Sequence, residues 1–398
     1  MSSLDSSAWP PVHMVETESD LLRAINTWRS APVLGMDTES NSFHAYHEKL
    51  CLLQVSTHNE DWIVDPLALG DSLEAVLGIL ADPEIVKVFH SAEYDMMLLA
   101  HGLGAKVRGL FDTQVAMTLL KHKKTGLAAL LESFYGVKPS KKEQRSDWGK
   151  RPLTSRQVEY ARTDTHFLVD LHTRLIDELK DAGLTEACLG ECDRLEREVL
   201  PPREPDPEGW KRLKGAKTLT PSQAARLRAL FQWREGLGAQ RDVPVFKILP
   251  NPALLSLARK PPREINEMAR SEGMGWKLAK RHGAALMEVL QSSRGEEISD
   301  HFPKKVDPAE RRRRRIRREN LEALKDWRKK TAVTLDLPSE RLFHRRHLEK
   351  IAKELPQNSE ALMRTIQMND WQRETLERSL LQLLASLPNP EKNNEHNS

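Results

Sequence analysis

Shifting the chain by 94 positions lays part of its C-terminal half onto itself. Ala229, Leu230, Trp233 and Arg234 fall on Ala323, Leu324, Trp327 and Arg328. In the same ungapped register Pro244 meets Pro338, Leu254 meets Leu348, Ala258 meets Ala352, Pro262 meets Pro356, and Leu257 meets Ile351. Such a repeat implies two copies of one supersecondary unit that buries an apolar face by stacking helices. Strand signals fade in this half and helical periodicity dominates, so two all-α domains are expected, at 210–291 and 317–387. Pro201, Pro202, Pro205 and Pro207 mark a linker over 201–209. A second linker, 292–316, carries a run of arginines, and the polar tail 388–398 is expected to be disordered.

Residues 1–200 read differently, as a mixed α/β domain. Strands are expected at Val33–Glu39, Leu50–Thr57, Asp61–Asp65 and Ile85–His90, the first three close enough together for an antiparallel meander. Helices are expected at Ser72–Leu80, Ala92–His101, Thr113–Leu120, Leu127–Tyr135 and Thr154–Leu179. Thr154 or Ser155 is a plausible N-cap for the last of these.

Charge separates the halves. Residues 1–200 hold 21 Lys and Arg against 31 Asp and Glu, a net −10, whereas 201–398 hold 40 against 27, a net +13. An acidic half suited to cations is joined to a basic half suited to a polyanion, which points to nucleic acid. The longest apolar runs are too short to span a bilayer, and the start MSSLDSSAWPPVHM has no secretory pattern. Cys51, Cys188 and Cys192 form neither an even framework nor a zinc spacing, so a reducing, cytoplasmic location is expected.

Four acids sit where a charge is awkward: Asp37 and Glu39 in GMDTES, Asp95 in FHSAEYDMMLL, and Asp164 in EYARTDTHFL. Asp37 and Glu39, two apart on a strand, share a face, and Tyr160 and Asp164, four apart on a helix, do likewise. Each has an ordinary alternative. Asp95 fits a helix start, Tyr160 an aromatic core position and Asp164 a surface site. Together they match what phosphodiester cleavage by two divalent cations requires, because hard ions such as Mg²⁺ take carboxylate oxygens and need no His or Cys cage.

These motifs, with GLFDTQVAM, GLAALLESFYGV, KKEQRSDWGKRPLT and YARTDTHFLVDL, resemble the ribonuclease D family and its exosome-associated relatives. That family lies within the DEDD exonuclease superfamily, Tyr subtype. The resemblance covers roughly residues 12–179 and implies a ribonuclease H-like fold. It also implies 3′→5′ hydrolysis of RNA to nucleoside 5′-monophosphates, with two Mg²⁺ or Mn²⁺ ions held by Asp37, Glu39, Asp95 and Asp164 and the attacking water placed by Tyr160. The C-terminal copies resemble HRDC domains, the first more clearly than the second. Ser40 is a departure, since the family more often has a bulky apolar residue after the glutamate. Structured RNA such as tRNA precursors would be the substrate of a monomeric enzyme. A DNA 3′→5′ exonuclease and a catalytically silent RNA-binding scaffold are the alternatives.

The basic loop 138–151, KPSKKEQRSDWGKR, precedes the last motif and suits backbone-phosphate contact. Lys141, Gln144, Arg145, Trp148 and Arg151 are its candidate substrate residues, with His90 beside the second motif. Trp148 fits an anchor for the loop as readily as a stacking platform. The block Arg311–Arg315 with Arg317 and Arg318 fits the exposed first turns of a helix, a polyanion contact or a nuclear localisation signal.

Overall fold

A computed structural model of the chain describes residues 9–140, 142–202, 204–298 and 307–391. The N-terminal half forms one six-stranded mixed sheet. Its strands are β1 (Val12–Val15), β2 (Val33–Ser40), β3 (Leu50–Ser56), β4 (Asp61–Val64), β5 (Val86–Phe89) and β6 (Leu110–Asp112). They lie in the order β1-β4-β3-β2-β5-β6. β2, β3 and β4 pair antiparallel as the expected meander, and β1, β5 and β6 add parallel to it. Every residue of β3 is buried, because helices cover both faces of the sheet there and no side can be polar.

The helices of this half are α1 (Glu18–Arg29), α2 (Pro66–Leu69), α3 (Leu77–Ala81), α4 (Glu93–Leu103), α5 (Thr113–Leu119), α6 (Leu127–Tyr135), α7 (Ser155–His166), α8 (Leu168–Asp181) and α9 (Thr185–Arg197). The single helix expected over Thr154–Leu179 is two, broken at Phe167. α7 starts with a capping box in which Thr154 and Gln157 satisfy each other's backbone amides. β1 and β6 were not expected from the sequence, being only four and three residues long.

The remaining helices divide between two compact units. One unit comprises residues 41–49 and 202–306. It holds α10 (Pro221–Arg241), α11 (Val245–Ile248), α12 (Asn251–Arg259), α13 (Ile265–Ala269) and α14 (Gly275–Ser292) around Trp210, Leu227, Leu230, Leu254, Leu257 and Leu286. Tyr46 belongs to this unit, its backbone N–H donating to Asp242 and its hydroxyl to Glu235.

The other unit joins the sheet domain to residues 307–398. Within it the second copy forms α15 (Pro308–Thr334), α16 (Ser339–Leu342), α17 (Arg345–Glu354), α18 (Ser359–Thr365) and α19 (Asp370–Ser386). The repeat has a physical basis in both copies. Leu230 and Leu324, and likewise Leu254 and Leu348, are fully buried. Arg234 donates to the Leu249 carbonyl at 3.0 Å, and Arg328 to the Phe343 carbonyl at 2.7 Å, the same bond in each repeat.

The second copy, expected as a domain of its own, shares one continuous apolar core with the sheet domain. Leu324, Leu348, Ile351, Leu376 and Leu380 cluster with the residues beneath the sheet. Polar contacts close the seam. Glu198, the C-cap of α9, receives His347 at 2.9 Å and Arg346, and Arg341 lies 3.6 Å from Glu191. A Cβ at Gly190 of α9 would collide with the Asn369 side chain, so close packing there requires glycine. No helix among the described residues is long and apolar enough to cross a membrane.

Candidate active site

β2 and α7 carry the acids, and a glycine sets their distance. A Cβ at Gly35 would come 2.7 Å from the Thr165 carbonyl, so α7 lies directly on the β2 face that also presents Asp37 and Glu39. α7 is also pinned to the sheet by Asp61 at the start of β4. The Asp61 carboxylate accepts from Arg162 Nε at 2.7 Å and from Ser56 Oγ at 2.7 Å, with His166 Nδ1 at 3.0 Å. Ser56 also bonds Thr165 at 2.7 Å. Trp9 stacks on His166 with ring centroids 4.3 Å apart, and Arg162 lies over the Trp9 ring. Arg162 and His166 stand two residues either side of Asp164, so this network fixes where Asp164 points.

The result is a carboxylate cluster. Asp37, Glu39 and Asp164 each bring a carboxylate oxygen within 4.8 Å of the others. Asp95, in the first turn of α4, is joined to the same strand. Its carboxylate accepts from the Thr38 backbone N–H at 3.1 Å and the Thr38 hydroxyl at 2.5 Å. α4 is held in turn by Asp112, which accepts from the backbone N–H groups of Ser91 and Ala92 at its approach. Ser40, the departure from the family pattern, shares a hydrogen bond with the Tyr94 hydroxyl at 2.8 Å, next to Asp95.

Electrostatics follow from crowding. Burial, then repulsion from Asp95, Asp164 and Glu39, pushes the Asp37 carboxyl well above the usual range. Burial and then Asp164 raise Glu39 to about 9. Burial raises Asp95 and Asp164 to about 7 each, against hydrogen bonds from Thr38 and Tyr160 that favour the ionised forms. Tyr160 lies beside Asp164, and burial followed by the surrounding acids pushes its own pKa up. Four crowded acids with only oxygen donors between them suit a hard divalent cation, which would relieve the repulsion that raises them.

The substrate residues expected from sequence fare unevenly. Gln144 and Arg145 lie exposed in a short turn over Glu143–Arg145, and Lys141 lies outside the described residues. His90 is tied to Thr113 by its Nδ1 at 2.9 Å, and its Nε2 is buried without a partner among the described residues. Trp148 and Arg151 are corrections. Trp148 is 1% exposed, packed with Cys51, Leu52, Ile63 and Ala161 beside the Tyr160 ring, and cannot stack on a base. Arg151 commits all five N–H donors to the fold, bonding both oxygens of Asp65 and the carbonyls of Cys51, Trp148 and Lys150. The loop's anchor is thus polar as well as apolar. Thr38, Asp61, Arg162 and His166 were not anticipated from the sequence; the i, i+4 spacing of Arg162 and His166 around Asp164 was the available signal.

Comparison with known proteins agrees with this layout. The 3'-5' exonuclease family matches residues 12–180, and the HRDC domain matches residues 223–290 and 317–384. Exosome complex exonuclease RRP6 of Saccharomyces cerevisiae is 32% identical over 265 residues, covering 63% of this chain and 36% of the yeast protein. The chain therefore spans about a third of the length of its exosome-associated relatives. Ribonuclease D of Zymomonas mobilis is 31% identical over 306 residues, covering 74% of this chain and 77% of that protein. The crystal structure of Escherichia coli RNase D superposes with a TM-score of 0.64 at 26% identity, covering 95% of this chain and 100% of that one. The chain belongs to the ribonuclease D family, with an N-terminal 3'-5' exonuclease domain followed by two HRDC domains.

Proposed function

We propose that this chain is a 3′→5′ exoribonuclease that releases nucleoside 5′-monophosphates from RNA with the help of two divalent cations, Mg²⁺ or Mn²⁺. The observation that carries the reading is the meeting of Asp37, Glu39 and Asp164 within 4.8 Å, with Asp95 tied to the strand between the first two. Asp37, Glu39, Asp95 and Asp164 hold the cations. When bound, these supply a lowered water pKa and positive charge against the developing phosphorane. Tyr160, a hydroxyl that stays protonated because burial and nearby acids raise its pKa, orients the attacking water. Water adds to the terminal phosphate, the 3′-oxygen of the shortened chain departs with a proton, and the nucleotide leaves with a 5′-phosphate.

Gln144, Arg145 and Lys141 are assigned to phosphate contact by the basic composition of their loop, and the basic C-terminal half to retaining the RNA body. The Escherichia coli relative is an exoribonuclease involved in structured RNA processing. We assign the same substrate class here, with tRNA precursors as its first candidate. Three buried free cysteines suit the reducing cytoplasm.

The test is a time course on 5′-labelled single-stranded RNA and DNA of equal sequence, with Mg²⁺, Mn²⁺ or chelator. Stepwise shortening of RNA with 5′-monophosphate release is expected, lost on chelation. Equal degradation of DNA would overturn the assignment to RNA, and activity in chelator would overturn the metal mechanism.

A further inference from the structure

Gln54 is a buried polar side chain beside the carboxylate cluster to which the proposed mechanism gives no task. It is 0% exposed, and neither its amide nitrogen nor its amide oxygen has a hydrogen-bond partner among the described residues. A buried amide left unpaired is destabilising, because it gives up its bonds to water and gains none in the fold. The strand LCLLQVS is otherwise almost wholly apolar, and packing alone would favour an apolar residue of the same size here.

The register shows what Gln54 faces. It is the cross-strand partner of Asp37, so the two side chains leave the same face of neighbouring strands. Residues so paired have Cβ atoms roughly 4.5–5.5 Å apart, within reach of a glutamine amide. The face is the one covered by α7. Ser56, two residues on, bonds Thr165, and Leu52, two residues back, packs with Trp148 and Ala161. Gln54 therefore lies between β3 and α7, next to Asp37.

We propose that Gln54 is a positioning residue for Asp37: when a cation draws the Asp37 carboxylate into place, the Gln54 amide N–H, unpaired in the metal-free fold, donates to it and holds it in its metal-binding orientation. Outer-shell donors of this kind fix the direction of a ligating carboxylate. The inference rests on the reading of Asp37 as a metal ligand. The competing account is a structural water that satisfies the amide and has no bearing on metal.

The two accounts differ in a measurement that needs no substrate. Mn²⁺ is titrated calorimetrically into the full-length protein, and urea unfolding is followed in chelator, for wild type, Gln54→Met and Asp37→Asn. Methionine keeps the shape and removes the polar atoms. Positioning predicts a Mn²⁺ Kd raised by roughly 10–100-fold in Gln54→Met, with a metal-free unfolding midpoint at or above that of wild type. An unchanged Kd, whether or not the metal-free midpoint falls, overturns the proposal in favour of a structural water. Gln54→Asn, whose amide is drawn back by one methylene, reads the same shift in Kd should the methionine variant fail to fold. Wild-type Mn²⁺ binding by Asp37→Asn would overturn the ligand reading itself, and the proposal with it.

Discussion

Asp61→Asn isolates the network that aims α7. The carboxylate is 1% exposed and serves Arg162, itself 6% exposed, together with His166 and Ser56. Asparagine keeps the shape but leaves the Arg162 guanidinium buried without its counter-charge, which costs about 3–5 kcal/mol. That is a large part of the ~5–15 kcal/mol by which a folded domain is stable. Because Arg162 and His166 flank Asp164, displacement of α7 by ~1 Å would also lower turnover by about 10²-fold. Urea unfolding measures the first effect, hydrogen exchange across α7 localises it, and kcat on a short oligonucleotide reads the second. Adding Arg162→Met should restore most of the stability, since replacing a buried pair by apolar groups is often neutral. The pH dependence has a fixed sign. Burial raises the Asp61 carboxyl, but His166, Arg162 and Ser56 outweigh it and hold the pKa below the usual value. The contribution of Asp61 is then present above its unfolded pKa of about 3.9 and is lost as pH falls through the lower folded value. The gap between wild type and Asp61→Asn should close in acid. A single variant within ~0.5 kcal/mol of wild type, or simple additivity in the double variant, would refute the reasoning.

Other perturbations give equally direct readings. Asp37→Asn and Asp164→Asn should each lower exonuclease turnover by more than the roughly 10–100-fold typical of outer-shell partners, with near wild-type circular dichroism; a loss smaller than roughly 10-fold would remove either residue from the site. The raised carboxyls of Glu39, Asp95 and Asp164, near 9, 7 and 7, mean that the metal-free fold gains stability as pH falls through those values. Bound cation replaces those protons, so the gain in unfolding midpoint on adding Mg²⁺ should grow from pH 6 to pH 9, and a flat difference would count against it. Glu198→Gln should destabilise the seam by about 3 kcal/mol, read as faster exchange in α9 and α17, because it leaves the buried His347 and its neighbour Arg346 without that carboxylate, while Arg194 keeps Glu191. Replacing Arg311, Arg312 and Arg314 with alanine should reduce the slope of log K against log salt by about 0.7 for each phosphate no longer neutralised, and unchanged slopes in filter binding would discount the run as an RNA-binding element.

The acids were legible because their evidence is local. Two-residue spacing on β2 and four-residue spacing on α7 report a shared face directly. Asp61 was not, since its partner Arg162 lies 101 residues away and no periodicity marks a pairing at that distance. The same holds for Trp148 and Arg151. Their composition suggested a phosphate-gripping loop, but the positions are taken by a buried aromatic cluster and by Asp65, 86 residues earlier. α7 and α8 read as one helix because their apolar stripes run on across Phe167. β1 and β6 gave too few residues for a strand pattern. The 94-residue repeat revealed two similar helical copies, but similarity in sequence says nothing about which neighbour each copy shares its core with.

That shared core has a consequence for the order in which the chain acquires its structure. The sheet domain ends near residue 201, yet the helices that complete its compact unit begin at residue 307, after the whole of the intervening stretch from 202 to 306. During synthesis the first HRDC copy leaves the ribosome, with its own separate core, before the second copy exists. Folding of residues 204–298 on their own core shortens the free loop that must be closed to join residues 9–201 with 307–391. The α9 surface around Gly190, Glu191 and Glu198 waits uncovered until the last helices arrive. Nascent chains halted before residue 307 should therefore bind holdase chaperones through that surface, and release them once α19 has been made.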